Sequence, residues 1–415
     1  MLFATRVVRL FAYGFLSVIL VLYLAEVGLS GGEIGLLLTM TLVGDTGISL
    51  GLTTSADRVG RKRMLLAGAA LMTLGGLVFA LTDNFLLLLL AATIGVLSPS
   101  GNEVGPFLAI EQAALAQTVA AEERTRMFAW YHLAGSFATA AGSLACGVFV
   151  QFLQAQAIPP VQSFRVVLFG YAAAGMLLAL LFLRLSPAAE AAAPVPAAVP
   201  PEMVHRRGIL GLHRSRNMVL KLSALFALDA FAGGFVLQSF VAFWFHVRFD
   251  ADSSTLGGIF FGANLLAGVS ALAAAAIARR VGLLNTMVFT HVPSNLLLVL
   301  VPLMPTLPLA VAVLLLRFAI SQMDVPARQS YTAAVVSHDE RSAAAGVTGI
   351  ARTAGAALSP VLAGPLLGNP GLAGIPFIVA GLLKLLYDGL LYRLFRGVVL
   401  PEEVAKHTAR GDRPG

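Results

Sequence analysis

Twelve apolar runs of 18 to 26 residues constrain this chain more than any other feature: 7–24, 34–53, 64–82, 85–109, 127–152, 164–185, 222–247, 255–278, 286–303, 308–330, 342–367 and 371–395. A helix needs about 20 residues to cross a hydrocarbon layer of about 30 Å. A membrane β-barrel would instead show strands of about 10 residues with alternating polarity, and no such pattern is present. Charged residues make up 12% of the chain, about half the share of a soluble domain, roughly 25%, which argues against a water-soluble enzyme. The pattern predicts an all-α membrane protein with the lipid bilayer as its solvent. The first run follows Arg6 and Arg9 but lacks a small-residue cleavage site, so it reads as a retained span rather than a signal peptide.

The longest polar gap separates the sixth and seventh runs. Residues 186–201 are Ala/Pro-rich, and 202–221 carry Arg206, Arg207, Arg214, Arg216 and Lys221. This reads as a flexible linker with a basic stretch. It predicts two six-helix bundles, 1–185 and 222–395, joined by a cytoplasmic linker at 186–221 and followed by a cytoplasmic tail at 396–415. An even number of spans puts both termini on one side. Of the 28 Lys and Arg, 23 fall in loops and helix ends on that side. Only Arg165 and Arg248 lie on the other side, and Arg317, Arg352 and Lys384 lie inside spans. The positive-inside rule then makes the termini cytoplasmic, in a plasma or inner membrane. The net charge of +7 is explained by these loops without a nucleic-acid partner. The halves also repeat. Glu111-Gln112 and Glu123-Arg124-Thr125 answer to Arg328-Gln329 and Glu340-Arg341-Ser342 at an offset of 217, and Arg58-Val59-Gly60 answers to Arg280-Val281-Gly282 at 222. Parallel repeats of this kind mark a transporter architecture.

Residues 53–63, TTSADRVGRKR, join the second and third spans. Gly60 permits a positive φ at a tight turn, and the basic side chains fit the positive-inside rule. Asp57-Arg58-x-Gly60-Arg61-Lys62 also resembles the signature loop of the major facilitator superfamily, G-x-x-x-D-R-x-G-R-[RK], with Thr53 in place of the first glycine. The resemblance implies that family's fold, twelve helices in two pseudo-symmetric bundles, with helices 1, 4, 7 and 10 lining a central cavity. It further implies a gating loop of Asp57, Arg58, Gly60, Arg61 and Glu111, in which the last is an acid latched to the loop. The pattern is most similar to drug/proton antiporters, although helix 4 lacks their arginine. Helix 5 carries Gly135, Gly142 and Gly147 without the accompanying proline.

Ionisable groups at mid-membrane cost about 2.5–3.5 kcal/mol or more and mark functional positions by default. Eight lie well inside the runs, away from their ends: Asp45, Glu103, Asp229, Arg317, Asp324, Arg352, Lys384 and Asp388. Five acids against three bases leave two carboxylates over, the chemistry a proton-coupled carrier needs. Lys384 and Asp388, spaced i, i+4, are expected to pair with each other. The fourth run contains LSPSGNEVGP at 97–106, in which Pro99 and Pro106 kink the helix around Asn102 and Glu103. The expected proton and substrate cavity is therefore Asp45, Asn102, Glu103, Asp229, Arg317, Asp324 and Arg352. An Asp45–Arg352 contact across the halves is expected in at least one state. His132 and His291 read as packing residues, and Trp244 as interfacial. There is no Walker loop and no zinc-type histidine pair, so neither a cofactor nor enzymatic activity is expected. The expected function is proton-coupled export of small hydrophobic or amphipathic solutes by a monomer. The alternative is transport of a small organic or inorganic anion, and an intramembrane enzyme is the remaining rival.

Overall fold

The computed structural model describes residues 1–119, 123–186, 189–190, 212–337 and 340–398, with backbone alone for Asp57, Arg124, Thr125, Ala275 and Ser342. Among the described residues every regular element is a helix. They run α1 (Leu2–Ser17), α2 (Leu20–Glu26), α3 (Gly31–Val59), α4 (Arg61–Leu81), α5 (Phe85–Ile94), α6 (Phe107–Thr118), α7 (Arg124–Ala155) and α8 (Pro160–Leu183) in the first half. The second half holds α9 (Arg216–Gly234), α10 (Gln238–Phe249), α11 (Ser253–Val281), α12 (Leu283–Leu300), α13 (Leu307–Ser321), α14 (Asp324–Ala334), α15 (Arg341–Ala357), α16 (Pro360–Leu367) and α17 (Ile375–Phe395). Most of the expected linker and tail, 191–211 and 399–415, lies outside the described residues.

Ten helices or helix pairs are long and apolar enough to cross a bilayer, and α1 with α2, bent by 40°, makes an eleventh crossing. The fourth expected span departs from a kinked helix. It is two helices, α5 and α6, separated by a non-helical segment over 95–106. Two prolines remove two backbone donors, and Gly101 and Gly105 adopt φ of 70° and 78°, open to glycine without strain. Breaks also fall between α1 and α2, α9 and α10, α13 and α14, and α15 and α16. Irregular backbone at membrane depth persists only where protein or a cavity satisfies it. Here two breaks satisfy each other, since the Ser239 N–H at the start of α10 donates to the Pro99 carbonyl at 3.1 Å.

The repeat noticed in the sequence has a physical counterpart. Gly60 (φ 113°) ends α3 and Gly282 (φ 87°) ends α11, each accepting a reversal that a side chain would resist. At the other end of α3, Ser30 and Glu33 form a reciprocal capping box.

Within the first half α1 packs on α7 and α8, and α4 packs on α8. Within the second, α9 packs on α15 and α17, and α12 on α13 and α17. The halves meet along α7 with α11, α3 with α15 and α16, and α2 with α10. Small residues permit the close crossings: a Cβ on Gly257 would lie 2.8 Å from the Gly147 Cα, and one on Gly364 only 2.2 Å from the Gly31 carbonyl oxygen. The hydrogen bonds between halves join Gln238 to Ser17 and Ser143, Ser239 to Pro99, and Val361 to Thr39. These contacts lie at mid-span or toward the ends remote from the termini.

Leu81, Leu86, Leu90, Phe152, Leu180 and Phe289 are among the many large apolar side chains more than half exposed, as a lipid-facing belt requires. Trp244 does not join that belt. It is 1% exposed and packed against Phe245, Phe249 and Phe377, a correction to the interfacial reading. The packing of α17 against α10 and α9 covers it.

Candidate functional site

Each half buries a cluster of ionised side chains. In the first half, α1 presents Thr5, Arg6 and Arg9 to the interrupted fourth span. Arg9 is fully buried and its guanidinium forks between two acids. It reaches Glu103 at 3.2 and 2.8 Å and Glu111 at 3.0 and 2.7 Å. Arg6 adds a 2.7 Å bond to Glu103. Thr5 donates to Glu111 at 2.7 Å, and the Tyr131 hydroxyl from α7 donates to its other oxygen. The rings of Tyr131 and Phe107 cover the two guanidiniums at 4.3 and 4.7 Å, contacts that favour a desolvated cation. The break at 95–106 is what allows this. It lets Glu103 leave the helical path and meet the same arginine as Glu111 on α6.

Asp45 on α3 takes a different partner. Its carboxylate accepts the Gly105 N–H at 2.5 Å and the Ser49 hydroxyl at 3.2 Å, and among the described residues it makes no ion pair. Asn102 is exposed within the broken segment.

In the second half Asp229 on α9 is the hub. Lys384 of α17 reaches one carboxylate oxygen at 2.6 Å and Arg328 of α14 the other at 3.1 Å. Arg328 also holds Asp324 at 3.2 Å. Arg352 on α15 stands 4.0 Å from Asp229. His291 on α12 lies between two acids: Nδ1 is 2.8 Å from Asp388, and Nε2 is 3.8 Å from Asp229. Asn295 donates to the second oxygen of Asp388 at 2.9 Å. The two clusters are inverted in charge. Arg9 on the first span of its half holds Glu111, and Asp229 on the corresponding span holds Arg328, the residue that the repeat aligns with Glu111.

Several expectations change. The Lys384–Asp388 pair gives way to Lys384–Asp229 and His291–Asp388, because α17 turns these side chains toward α9 and α12. His291 is thus a working member of a charge cluster. Arg6, Arg9 and Arg328, assigned by sequence to the basic helix ends, point inward and are buried. The excess of basic loops on the termini's side survives their removal. With these three bases and Glu111 included, six acids and six bases lie within the two halves' interior, so the two surplus carboxylates disappear. In this state Glu111 is held by Arg9 and does not touch Arg61. Arg61 instead donates to Gln117 at 2.8 Å and to the Ala189 carbonyl. The N–H groups of Arg61 and Lys62 are received by Glu190 at 2.7 and 3.2 Å. Arg58 sits in the last turn of α3 beside Gly60, and the Asp57 side chain lies outside the described residues. Asp45 and Arg352 do not touch here; Asp45 is bonded by Gly105 and Ser49, and Arg352 stands off Asp229 in its own half.

Sequence reasoning missed Arg6 and Arg9 and read His291 as a packing residue. A spacing of three placed Arg6 and Arg9 on one face of α1, a signal that a basic flank hides. Among the described residues no group of acidic, His and Cys side chains could hold a metal ion.

A family model described as Major Facilitator Superfamily matches residues 2–325. An uncharacterized membrane protein of Saccharomyces cerevisiae (YJR124C) is 31% identical over 421 residues, covering 96% of this chain and 94% of that protein. Among solved structures, the nucleoside transporter NupG superposes with a TM-score of 0.75 at 14% identity, over 95% of this chain and 100% of that one. The inward open form of the Escherichia coli xylose transporter XylE does so with a TM-score of 0.68 at 14% identity, over 98% of each.

Proposed function

The chain belongs to the Major Facilitator Superfamily, and on that premise we propose a proton-coupled transporter that moves a small amphipathic organic solute by alternating access. The two halves, 1–185 and 222–395, act as the rocking units. The Ala/Pro-rich linker is long enough to permit their relative motion. The contacts between halves sit at mid-span and at the ends remote from the termini, which supports a state open toward the termini. With the termini cytoplasmic, as the basic loops argue, that state faces inward. Closure at the other side would separate α3 from α16 and α2 from α10.

The observation that carries proton coupling is Asp45. Every other acid of the two clusters has a cation or His291 within salt-bridge range. Asp45 has a backbone N–H and a hydroxyl. An uncompensated charge away from water is costly, and a proton removes that cost. The Gly105 contact ties the state of Asp45 to the broken span that carries Asn102 and Glu103. The paired acids hold the arginines in place, and Glu103 joins the relay when Arg6 and Arg9 shift. The export direction follows the resemblance to drug/proton antiporters.

Proteoliposomes with an imposed pH gradient test this. Asp45→Asn is expected to abolish gradient-driven accumulation while leaving solute counterflow. Uphill transport retained in Asp45→Asn, Glu103→Gln and Asp324→Asn alike would remove these acids from coupling.

A further inference from the structure

The second-half cluster holds more cation than its own acids use. Three cationic side chains, Arg328, Arg352 and Lys384, approach Asp229 from α14, α15 and α17, and a fourth, Arg317 on α13, lies within electrostatic reach of Asp229 and Asp324. Of its three carboxylates, Asp388 is engaged by His291 and Asn295. That leaves Asp229 and Asp324 for four cations. Lys384 and Arg328 already occupy both oxygens of Asp229, and Arg328 takes Asp324 as well.

The remainder falls on Arg352 and Arg317. Arg352 approaches Asp229 no closer than 4.0 Å, beyond hydrogen-bond distance. Its Nη1 is buried and makes no hydrogen bond among the described residues, and the same holds for Nε of Arg317. Buried donors are almost always satisfied, so two orphaned guanidinium N–H groups beside one cluster are an anomaly that a ligand would resolve. Arg352 is also reachable. Its side chain is 35% exposed, whereas Asp229, Asp324, Arg328 and Lys384 are 10% exposed or less. Three residues before it on α15, a Cβ at Gly349 would meet nothing within 4 Å, so nothing packs against the helix at that position. The first-half cluster also has an orphaned donor, Arg6 Nε, but no surplus of charge, because Arg6 and Arg9 face Glu103 and Glu111 one for one.

We infer that Arg352, assisted by Arg317 from the same cluster, binds the anionic head of the transported solute, and that the substrate class is a small organic carboxylate or similar oxyanion with an apolar body. This rests on the transporter reading and narrows its solute. A guanidinium offers paired donors in a fixed fork that matches a carboxylate. Phe231 and Phe318, both half-buried, offer apolar surface on the neighbouring helices α9 and α13. The cluster itself, four cations against three carboxylates, is brought to neutrality when one carboxylate ligand arrives.

The test uses three probes that share one tail, 4-phenylbutyrate, 4-phenylbutanamide and 4-phenylbutylammonium, titrated against the purified full chain with thermal stabilisation as the readout. Saturable stabilisation by the carboxylate, and none by the other two, is expected. Arg352→Gln should raise the carboxylate Kd about 10- to 100-fold, the range for losing a hydrogen bond to a charged group, and Arg352→Lys by less. Arg317→Gln provides a second variant. Equal stabilisation by the amide, no stabilisation by the carboxylate at millimolar concentration, or an unchanged carboxylate Kd in folded Arg352→Gln and Arg317→Gln would overturn the inference. Proteoliposome flux separates this from the parent reading. Gradient-driven movement of the ammonium or amide probe sinks the anion site and leaves the transporter standing. Arg352-dependent carboxylate binding without flux of any probe does the reverse.

Discussion

Replacing Arg9 by methionine isolates the energetics of the first-half cluster. Arg9 is fully buried and makes four hydrogen bonds to two carboxylates. After Arg9→Met, Glu103 keeps Arg6 at 2.7 Å. Glu111, which is also fully buried, keeps only Thr5 and Tyr131. The cluster, neutral with two arginines and two glutamates, becomes net negative in a place without water. Breaking a buried pair by removing one partner costs about 3–5 kcal/mol, whereas replacing both partners by apolar residues is often near neutral. Arg9→Met should therefore destabilise by about 3–5 kcal/mol. Arg9→Met with Glu111→Met should be at least about 2 kcal/mol more stable than Arg9→Met alone, even though two hydroxyls lose their acceptor. Arg9→Lys should fall between wild type and Arg9→Met, because an ammonium keeps the charge but cannot fork to both acids. Equilibrium unfolding in mixed micelles of wild type, Arg9→Met, Glu111→Met and the double variant gives the cycle, with Arg9→Lys measured beside it. Additive losses in the double variant would refute the reasoning, since they would mean Arg9 and Glu111 are not energetically coupled.

Two further outcomes follow from other parts of the molecule. Gly364→Ala would force a Cβ to within 2.2 Å of the Gly31 carbonyl, so it should wedge α3 from α16. In a Cys146→Ala background, Ser17→Cys should then label faster with a membrane-impermeant maleimide, and an unchanged rate would mean this end is not the closed gate. Glu340, at the start of α15, is buried against α9. Burial pushes its carboxyl upward, but hydrogen bonds from Ser215 and His213 outweigh that and hold it well below its ordinary value near 4.5. A depressed folded-state pKa gives stability that is present above the unfolded value and is lost as pH falls toward the folded one. The Tm gap between wild type and Glu340→Gln should be full near pH 7 and shrink from about pH 5 downward; a gap that is flat between pH 7 and pH 4 would contradict it.

Local rules carry far in this chain. Hydrocarbon thickness fixes the length of a span, and the cost of unsatisfied backbone makes each span a helix, so the twelve windows, the six-plus-six division and the turns at Gly60 and Gly282 follow from residues read in order. The repeat at an offset of 217 even pairs Glu111 with Arg328, which prove to hold equivalent positions in clusters of opposite sign. What each charge binds is another matter. Arg6 and Arg9 look like loop-side basic residues, and Lys384 and Asp388 look like partners one turn apart. Periodicity does show that a side chain faces inward, but its partner belongs to another helix, reached by the rotation and crossing of packed cylinders. The break at 95–106 has the same origin. Two prolines and two glycines announce a disturbed helix, and it is the neighbouring Asp45, Arg9 and Ser239, by accepting or supplying the freed hydrogen bonds and charge, that allow it to open fully. An ion pair is a property of two surfaces brought together, and one strand of sequence carries only one surface at a time.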